Sequence, residues 1–443
     1  MVHARRGVGE NKRVPADPSS LFARIARQRW APLLAAVALF TLLCLVKRGG
    51  LLSEEQFGDV HLYADFGRKV LDGQAPYRDF FVEYPPGAMP VFLLPAAIDE
   101  GHYHFWSKLL TALVGVGGLA ALAAILGSLG AGARRRWLAL GFAAFAPLLI
   151  GPVFLNTYDL WPAALVVAAL ALLLRRRAAA AFALLGLATA AKIYPVLLLP
   201  VALVRVWRGA GGGVAGRRAA VRGLAAYLLG GAVVVLPFLV LGSHGVAYSL
   251  YVQFKRAIQV ESLGAAALLW LDRVGALTAK AVVGSPSSMV VAGGTAKAVG
   301  ALLLVVLVAA WAAAVLGYLR GPDTGERLVI AATVPVVAFI AFGKVFSPQY
   351  LTWLVLLVPL LAAGLGLAAG GLLVVACVLT QLWFFRQDEI FAGGGVVWLV
   401  LARDLVVVAL YAVLAAGLPA RRGSRASAAA PPASRISGTS SAT

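Results

Sequence analysis

Residues 158–177 read YDLWPAALVVAALALLLRRR. From Leu160 to Leu174 no side chain carries a charge, and Arg175, Arg176 and Arg177 follow at once. An apolar run closed by arginines reads as a helix ending at a membrane face. A span needs roughly 20 predominantly apolar residues, and Lys and Arg collect on the cytoplasmic side. Similar apolar runs occupy 31–47, 103–129, 137–155, 178–204, 223–242, 296–319, 327–343, 350–366, 368–385 and 396–418. The whole composition agrees. Of 443 residues, 61% are hydrophobic and only 13% charged, with a mean hydropathy of +0.87. Soluble enzymes carry roughly 25% charged residues, so that class is excluded, as are disordered chains and disulfide scaffolds.

The net charge of +20 looks like a nucleic-acid signal, but its distribution says otherwise. The two tails and the connections at 134–136, 175–177, 205–222 and 320–327 hold 24 Lys and Arg against 4 Asp and Glu. The rest of the chain is balanced, so the excess marks one membrane face. No soluble basic surface is left over to bind nucleic acid. Cys44 and Cys377 both lie in apolar runs and form no redox or metal motif.

The charges also serve as a compass. Residues 1–30 form a basic cytoplasmic tail, 31–419 the transmembrane domain, and 420–443 a disordered cytoplasmic tail rich in Ala, Ser, Pro and Arg. The first helix is an uncleaved signal anchor. Residues 47–100 become a large first extracytoplasmic loop, ending in a short apolar piece at 88–98 that is too short to span. Residues 178–204 lie between two basic clusters, yet two crossings would need about 40 residues. With Lys192 and Pro195 at its middle, this stretch reads as a helix hairpin that dips part-way. Residues 243–295 form a second large extracytoplasmic segment.

On this topology the clusters of mixed polar residues fall on the extracytoplasmic side. They are Asp59 to Tyr63, Pro76 to Gly87, Asn156 to Asp159, Lys192 to Pro195, Lys255 to Ser262, Lys344 to Tyr350 and Arg386 to Glu389. Ionisable groups at a membrane edge are costly and point to function. Cations (Lys192, Arg256, Lys344, Arg386) and carboxylates (Asp59, Glu83, Asp159, Glu261) would converge at one end of a helix bundle. A phosphate-bearing ligand wants such cations. A hydroxyl that must lose its proton wants a carboxylate.

From Asp59 to Pro86 the first loop resembles the signature of glycosyltransferase family 87, with Gly73, Pro76, Tyr77, Asp79, Phe80, Glu83 and Tyr84 in place. Lys192-Ile193-Tyr194-Pro195 with Pro200, Arg256 to Ser262, and Lys344 to Trp353 are similar to later parts of that family, in matching order over 57–355. The resemblance implies an all-α, polytopic GT-C-type bundle of about 10–12 transmembrane helices. It implies a plasma-membrane glycosyltransferase of cell-envelope biosynthesis, with both termini cytoplasmic and the active site outside. A sugar, most simply mannose, would pass from a polyprenyl-phosphate donor to a lipid or glycan acceptor with inversion. Asp59 would be the general base. Lys192, Arg256 and Lys344 would grip the donor phosphate, and Tyr63, Glu83, Tyr84, Asp159, Glu261 and Gln349 would hold the acceptor or support the site. No metal cluster and no cofactor beyond the donor is called for.

Each assignment has a plainer rival. Asp59 is also a candidate loop acid or helix cap, and Glu83 a candidate nucleophile for a retaining route. Asn156 and Asp159 suit caps for the helix from Leu160. Lys255 and Arg256 suit an outer charge pair with Glu261, and Arg386 a snorkelling end group. Trp106, Trp161, Trp353 and Trp383 suit interfacial belts. At the level of the whole protein the rival is a flippase or transporter of a lipid-linked sugar. Against it, no inverted repeat is visible and the polar motifs lie on one side.

Overall fold

The computed structural model describes residues 30–418 apart from 47, 56–57, 285–287 and 392–394. The basic N-terminal tail and the tail from 420 therefore lie outside the described residues. The chain is an all-α polytopic membrane protein. Its helices are α1 (Ala31–Cys44), α2 (Val60–Leu71), α3 (Met89–Asp99), α4 (Tyr103–Ser128), α5 (Ala133–Ala144), α6 (Ala146–Ile150), α7 (Leu160–Leu174), α8 (Ala178–Ala191), α9 (Leu199–Gly209) and α10 (Gly213–Lys255). After a short strand β1 (Ile258–Gln259) come α11 (Leu263–Arg273), β2 (Ala281–Val283), β3 (Met289–Val291), α12 (Gly294–Arg320), α13 (Gly325–Phe342), α14 (Leu351–Val355), α15 (Ala363–Phe384), α16 (Asp388–Phe391) and α17 (Val397–Gly417).

Six of these stretches are long and apolar enough to cross a membrane, starting with the nearly continuous Pro86–Ser128 and including α10, α12, α13, α15 and α17. A seventh crossing is formed by α5 and its neighbour if a pair bent by 43° counts as one span. The other apolar runs fold as shorter helices, among them α1, α7 and α8. Length explains the difference. A helix surrounded by other helices need not match the thickness of hydrocarbon, and 11 of the 15 residues of α7 are buried. Buried over most of their length, α7 and α13 form the centre of the bundle, whereas α10 and α12 lie at its edge. Two glycines let α8 and α10 approach closely: a Cβ on Gly186 would strike the Tyr227 carbonyl, and one on Gly230 the Ala183 carbonyl.

The bundle has two chemically distinct ends. At one end arginines satisfy the helix-terminal carbonyls that have no partner inside their own helix. Arg208 donates to the carbonyls of Tyr318 (3.2 Å) and Gly321 (2.9 Å). Arg327 donates to Gly317 (2.7 Å) and to Leu418. Arg135 pairs with Glu326 at 2.5 Å, and Arg205 with Asp323 at 2.7 Å. The connections at 134–136, 205–222 and 320–327 thus meet in space.

The opposite end holds the loops. Residues 178–204 do turn back at mid-stretch: α8 stops at Lys192, whose backbone is extended (φ −156°, ψ 143°), and Tyr194–Leu198 form a 3-10 turn into α9. Pro195 cannot donate the bond that would continue α8. The α10 helix breaks at Gly242 and runs on to Lys255, so the stretch from 243 begins as helix. Beyond it β1, β3 and β2 form a small antiparallel sheet, with Ile258 opposite Val291 and Val282 opposite Val290.

Candidate active site

Asp59 stands immediately before α2, but its side chain makes no capping bond there. Its Oδ2 accepts instead from the Tyr84 hydroxyl at 2.9 Å. The loop that delivers Tyr84 is rigid for a local reason. Tyr77 adopts a left-handed φ of 65°, its N–H donates to the Phe80 carbonyl at 3.1 Å, and its hydroxyl donates to the Tyr84 carbonyl at 2.7 Å. Pro85 and Pro86 then fix the entry into α3. Tyr63, one turn along α2 from Asp59, is buried and stacks on Phe92 with centroids 4.1 Å apart. Tyr84 and Tyr158 meet it edge-on. Asp59 itself is half-buried, and its Oδ1 accepts no bond among the described residues.

The expected cations are present, but two are already paired. Lys192 Nζ lies 2.6 Å from Asp159 Oδ1. Asp159 is 1% exposed, and its Oδ1 also accepts from Trp353 Nε1 at 2.8 Å. The ammonium faces the rings of Tyr158, Tyr350 and Trp353 at 4.7, 5.0 and 5.4 Å, each a favourable cation–π approach. Trp353 is held between Tyr194 (3.9 Å) and Tyr350 (4.2 Å) in a three-ring stack. Asp159 therefore does not cap α7, and Asn156 bonds the Pro152 carbonyl instead.

Arg256, at the end of α10, pairs with Glu83 at 3.2 Å and not with Glu261. Burial pushes the Glu83 carboxyl up from its ordinary range, and the Arg256 charge opposes that shift. Glu261 is nearly buried; its pKa is pushed up to about 7 by burial, against the pull of Arg403. Lys344 is half-buried, and its carbonyl accepts from the Gln259 N–H at 2.8 Å. Its ammonium makes no ion pair among the described residues. Gln349 sits in the turn that leads into α14.

Asp59 lies within electrostatic reach of Glu83, Asp159 and Glu261. The Tyr350 hydroxyl senses Asp59, Asp159, Glu261 and Arg256 together. Segments far apart in sequence therefore bring the half-buried Asp59 together with the Lys192–Asp159 and Arg256–Glu83 pairs at one end of the bundle, while Lys344 is tied to the Gln259 segment through its carbonyl. Arg386 does not join them; it pairs with Glu389 at 2.7 Å in the open. Trp353 and Trp383 correct the expectation of interfacial belts, being 1% and 0% exposed. Trp353 is a site residue that sequence reading missed. Its signal was the four-residue step from Gln349, which carries the chain from the turn back into the bundle. Arg403 and Asp404, wholly buried in α17, were missed as well.

The family model for glycosyltransferase family 87 matches residues 81–348. That stretch includes Glu83, Lys192, Arg256 and Lys344 and begins after Asp59. No curated protein matches the chain. Among solved structures, the crystal structure of ArnT from Cupriavidus metallidurans bound to undecaprenyl phosphate is similar at 16% identity and a TM-score of 0.46, over 90% of this chain and 77% of that one.

Proposed function

The chain belongs to glycosyltransferase family 87, and from that premise we propose that it moves a sugar from a polyprenyl-phosphate donor to a cell-envelope lipid or glycan. Membership settles the choice between transferase and transporter in favour of the enzyme. The reading is carried by one observation: the half-buried Asp59, oriented by Tyr84, lies within electrostatic reach of the carboxylates that pair with Lys192 and Arg256.

The acceptor hydroxyl donates to Asp59 and loses its proton there as it attacks the anomeric carbon. A positioned carboxylate of this kind contributes about 10²–10⁴-fold. The bond from that carbon to the phosphate oxygen breaks, and its electrons leave with the polyprenyl phosphate. The leaving group gains negative charge in the step, so cations placed to meet it stabilise the transition state more than the ground state. Lys344, unpaired among the described residues, is the first candidate contact. Arg256 and Lys192 reach the phosphate as well, and Glu83 and Asp159 balance their charges in the structure. A single displacement inverts the anomeric centre, so a β-linked mannosyl donor yields an α-mannoside. Tyr63 and Tyr84 support the acceptor side, and Glu261 and Gln349 brace the segments that carry Arg256 and Lys344. The transmembrane domain of 31–419 lies in the cell membrane, with the arginine-rich end cytoplasmic and the opposite end outside.

The test is transfer from radiolabelled polyprenyl-phosphate mannose in membrane vesicles, comparing wild type with Asp59→Asn. Transfer by wild type that disappears in the variant supports both donor and base. Equal transfer removes Asp59 from the mechanism. Absence of transfer from this donor, beside a competent control enzyme, removes mannose as the sugar.

A further inference from the structure

Arg403 lies wholly buried inside α17, outside the stretch that matches the family model. A buried guanidinium in a spanning helix is costly and persists only where its surroundings use it. Three segments meet on this one. Its Nη2 donates to the Glu261 carbonyl at 2.7 Å. Its plane covers the Phe346 ring at 3.6 Å and approaches Trp383 at 5.4 Å. Asp404 lies 2.8 Å from its Nε. The two loops it touches are also zipped to each other, by the bond from Gln259 N–H to the Lys344 carbonyl (2.8 Å) and that from Gln259 Nε2 to Ser347 Oγ (3.3 Å). Phe346 is two residues from Lys344, and Glu261 is five from Arg256.

We propose that Arg403 is a positioning residue: by joining the Glu261 carbonyl and the Phe346 ring, it fixes Lys344 and Arg256 at the separation a donor phosphate requires. This rests on the donor reading above. A planar guanidinium can stack on a ring and donate in its own plane at once, which an ammonium cannot. Arg403→Lys therefore keeps the charge and loses the geometry.

The experiment measures inhibition of wild-type transfer by polyprenyl phosphate, then repeats it in Arg403→Lys, Lys344→Met and the double variant. In Arg403→Lys the inhibition constant is expected to rise about tenfold while the acceptor KM stays within about twofold, since the acceptor binds elsewhere. If Arg403 acts through Lys344, the two changes do not multiply: in the Lys344→Met background the arginine change adds less than about twofold. Multiplying effects, or equal changes in both substrates' constants, overturn the proposal. Should Arg403→Lys fail to accumulate as folded protein, Phe346→Leu removes the stacking face alone and is read the same way. Wild-type transfer that polyprenyl phosphate does not inhibit refutes the donor reading and the proposal with it. A Lys344→Met variant inhibited like wild type refutes the proposal and removes Lys344 as a phosphate contact, while the polyprenyl-phosphate donor stands.

Discussion

Replacing Lys192 by methionine separates its structural role from a binding one. Asp159 is 1% exposed and keeps the Trp353 bond (2.8 Å), but loses the ammonium at 2.6 Å. Breaking a buried pair by removing one partner costs about 3–5 kcal/mol. Proton uptake sets a ceiling, because neutralising a carboxyl of ordinary acidity at pH 7 costs about 4 kcal/mol. The expected loss for Lys192→Met is thus about 3–4 kcal/mol at pH 7. It shrinks as pH falls toward 4, where the carboxyl takes up its proton without that cost. Pairing the change with Asp159→Asn removes the orphaned charge and restores most of the stability. Unfolding in detergent micelles, followed by tryptophan fluorescence at pH 7 and pH 4.5, reads all three. The reasoning is refuted if Lys192→Met unfolds like wild type at pH 7, or if the double variant is no more stable than the single one. Transfer activity adds a second axis: a stable but inactive double variant assigns Lys192 to the donor, and a stable active one makes the pair purely architectural.

Tyr84→Phe leaves Asp59 without its 2.9 Å donor; transfer per folded enzyme is expected to fall about tenfold, well short of the 10²–10⁴-fold loss in Asp59→Asn, as kcat measurements on both would show. Burial pushes the Glu261 pKa up to about 7 from 4.5, with Arg403 opposing and Asp404 and Asp59 adding to the shift. The folded state therefore holds a proton that the unfolded state releases between those values, and stability falls as pH rises, by up to about 3 kcal/mol. Glu261→Gln should be more stable than wild type at pH 8 and close to it at pH 4, below both values; a constant difference across that range contradicts the assignment. Gly186→Leu forces a side chain into the Tyr227 carbonyl and should cost more than about 3 kcal/mol by separating α8 from α10; a wild-type melting profile would show that the helices do not depend on that contact.

The membrane class was legible because apolar runs and arginine clusters are one-dimensional signals. A run such as Leu160 to Leu174 requires burial wherever it sits, and Arg175–Arg177 marks its end. The turn at Lys192 was legible for the same reason: a lysine and a proline cannot continue an apolar helix at depth. The first polar loop was readable because its residues are neighbours, and Tyr77, Glu83, Tyr84 and the prolines act over a few positions.

The sequence by itself thus determined a helical membrane protein with one basic end and its polar chemistry gathered at the other, since hydropathy and charge act locally along the chain. Only the tertiary structure decided which charges meet. It gave Lys192 to Asp159 across 33 positions and Arg256 to Glu83 across 173. It withdrew Trp353 from the interface to hold Asp159, and it set Arg403 under two loops more than 50 positions away. The physical reason is that an ion pair or a ring stack depends on distances of a few ångströms in space. Those distances arise when helices pack, and nothing in the order of residues along the chain encodes them one by one.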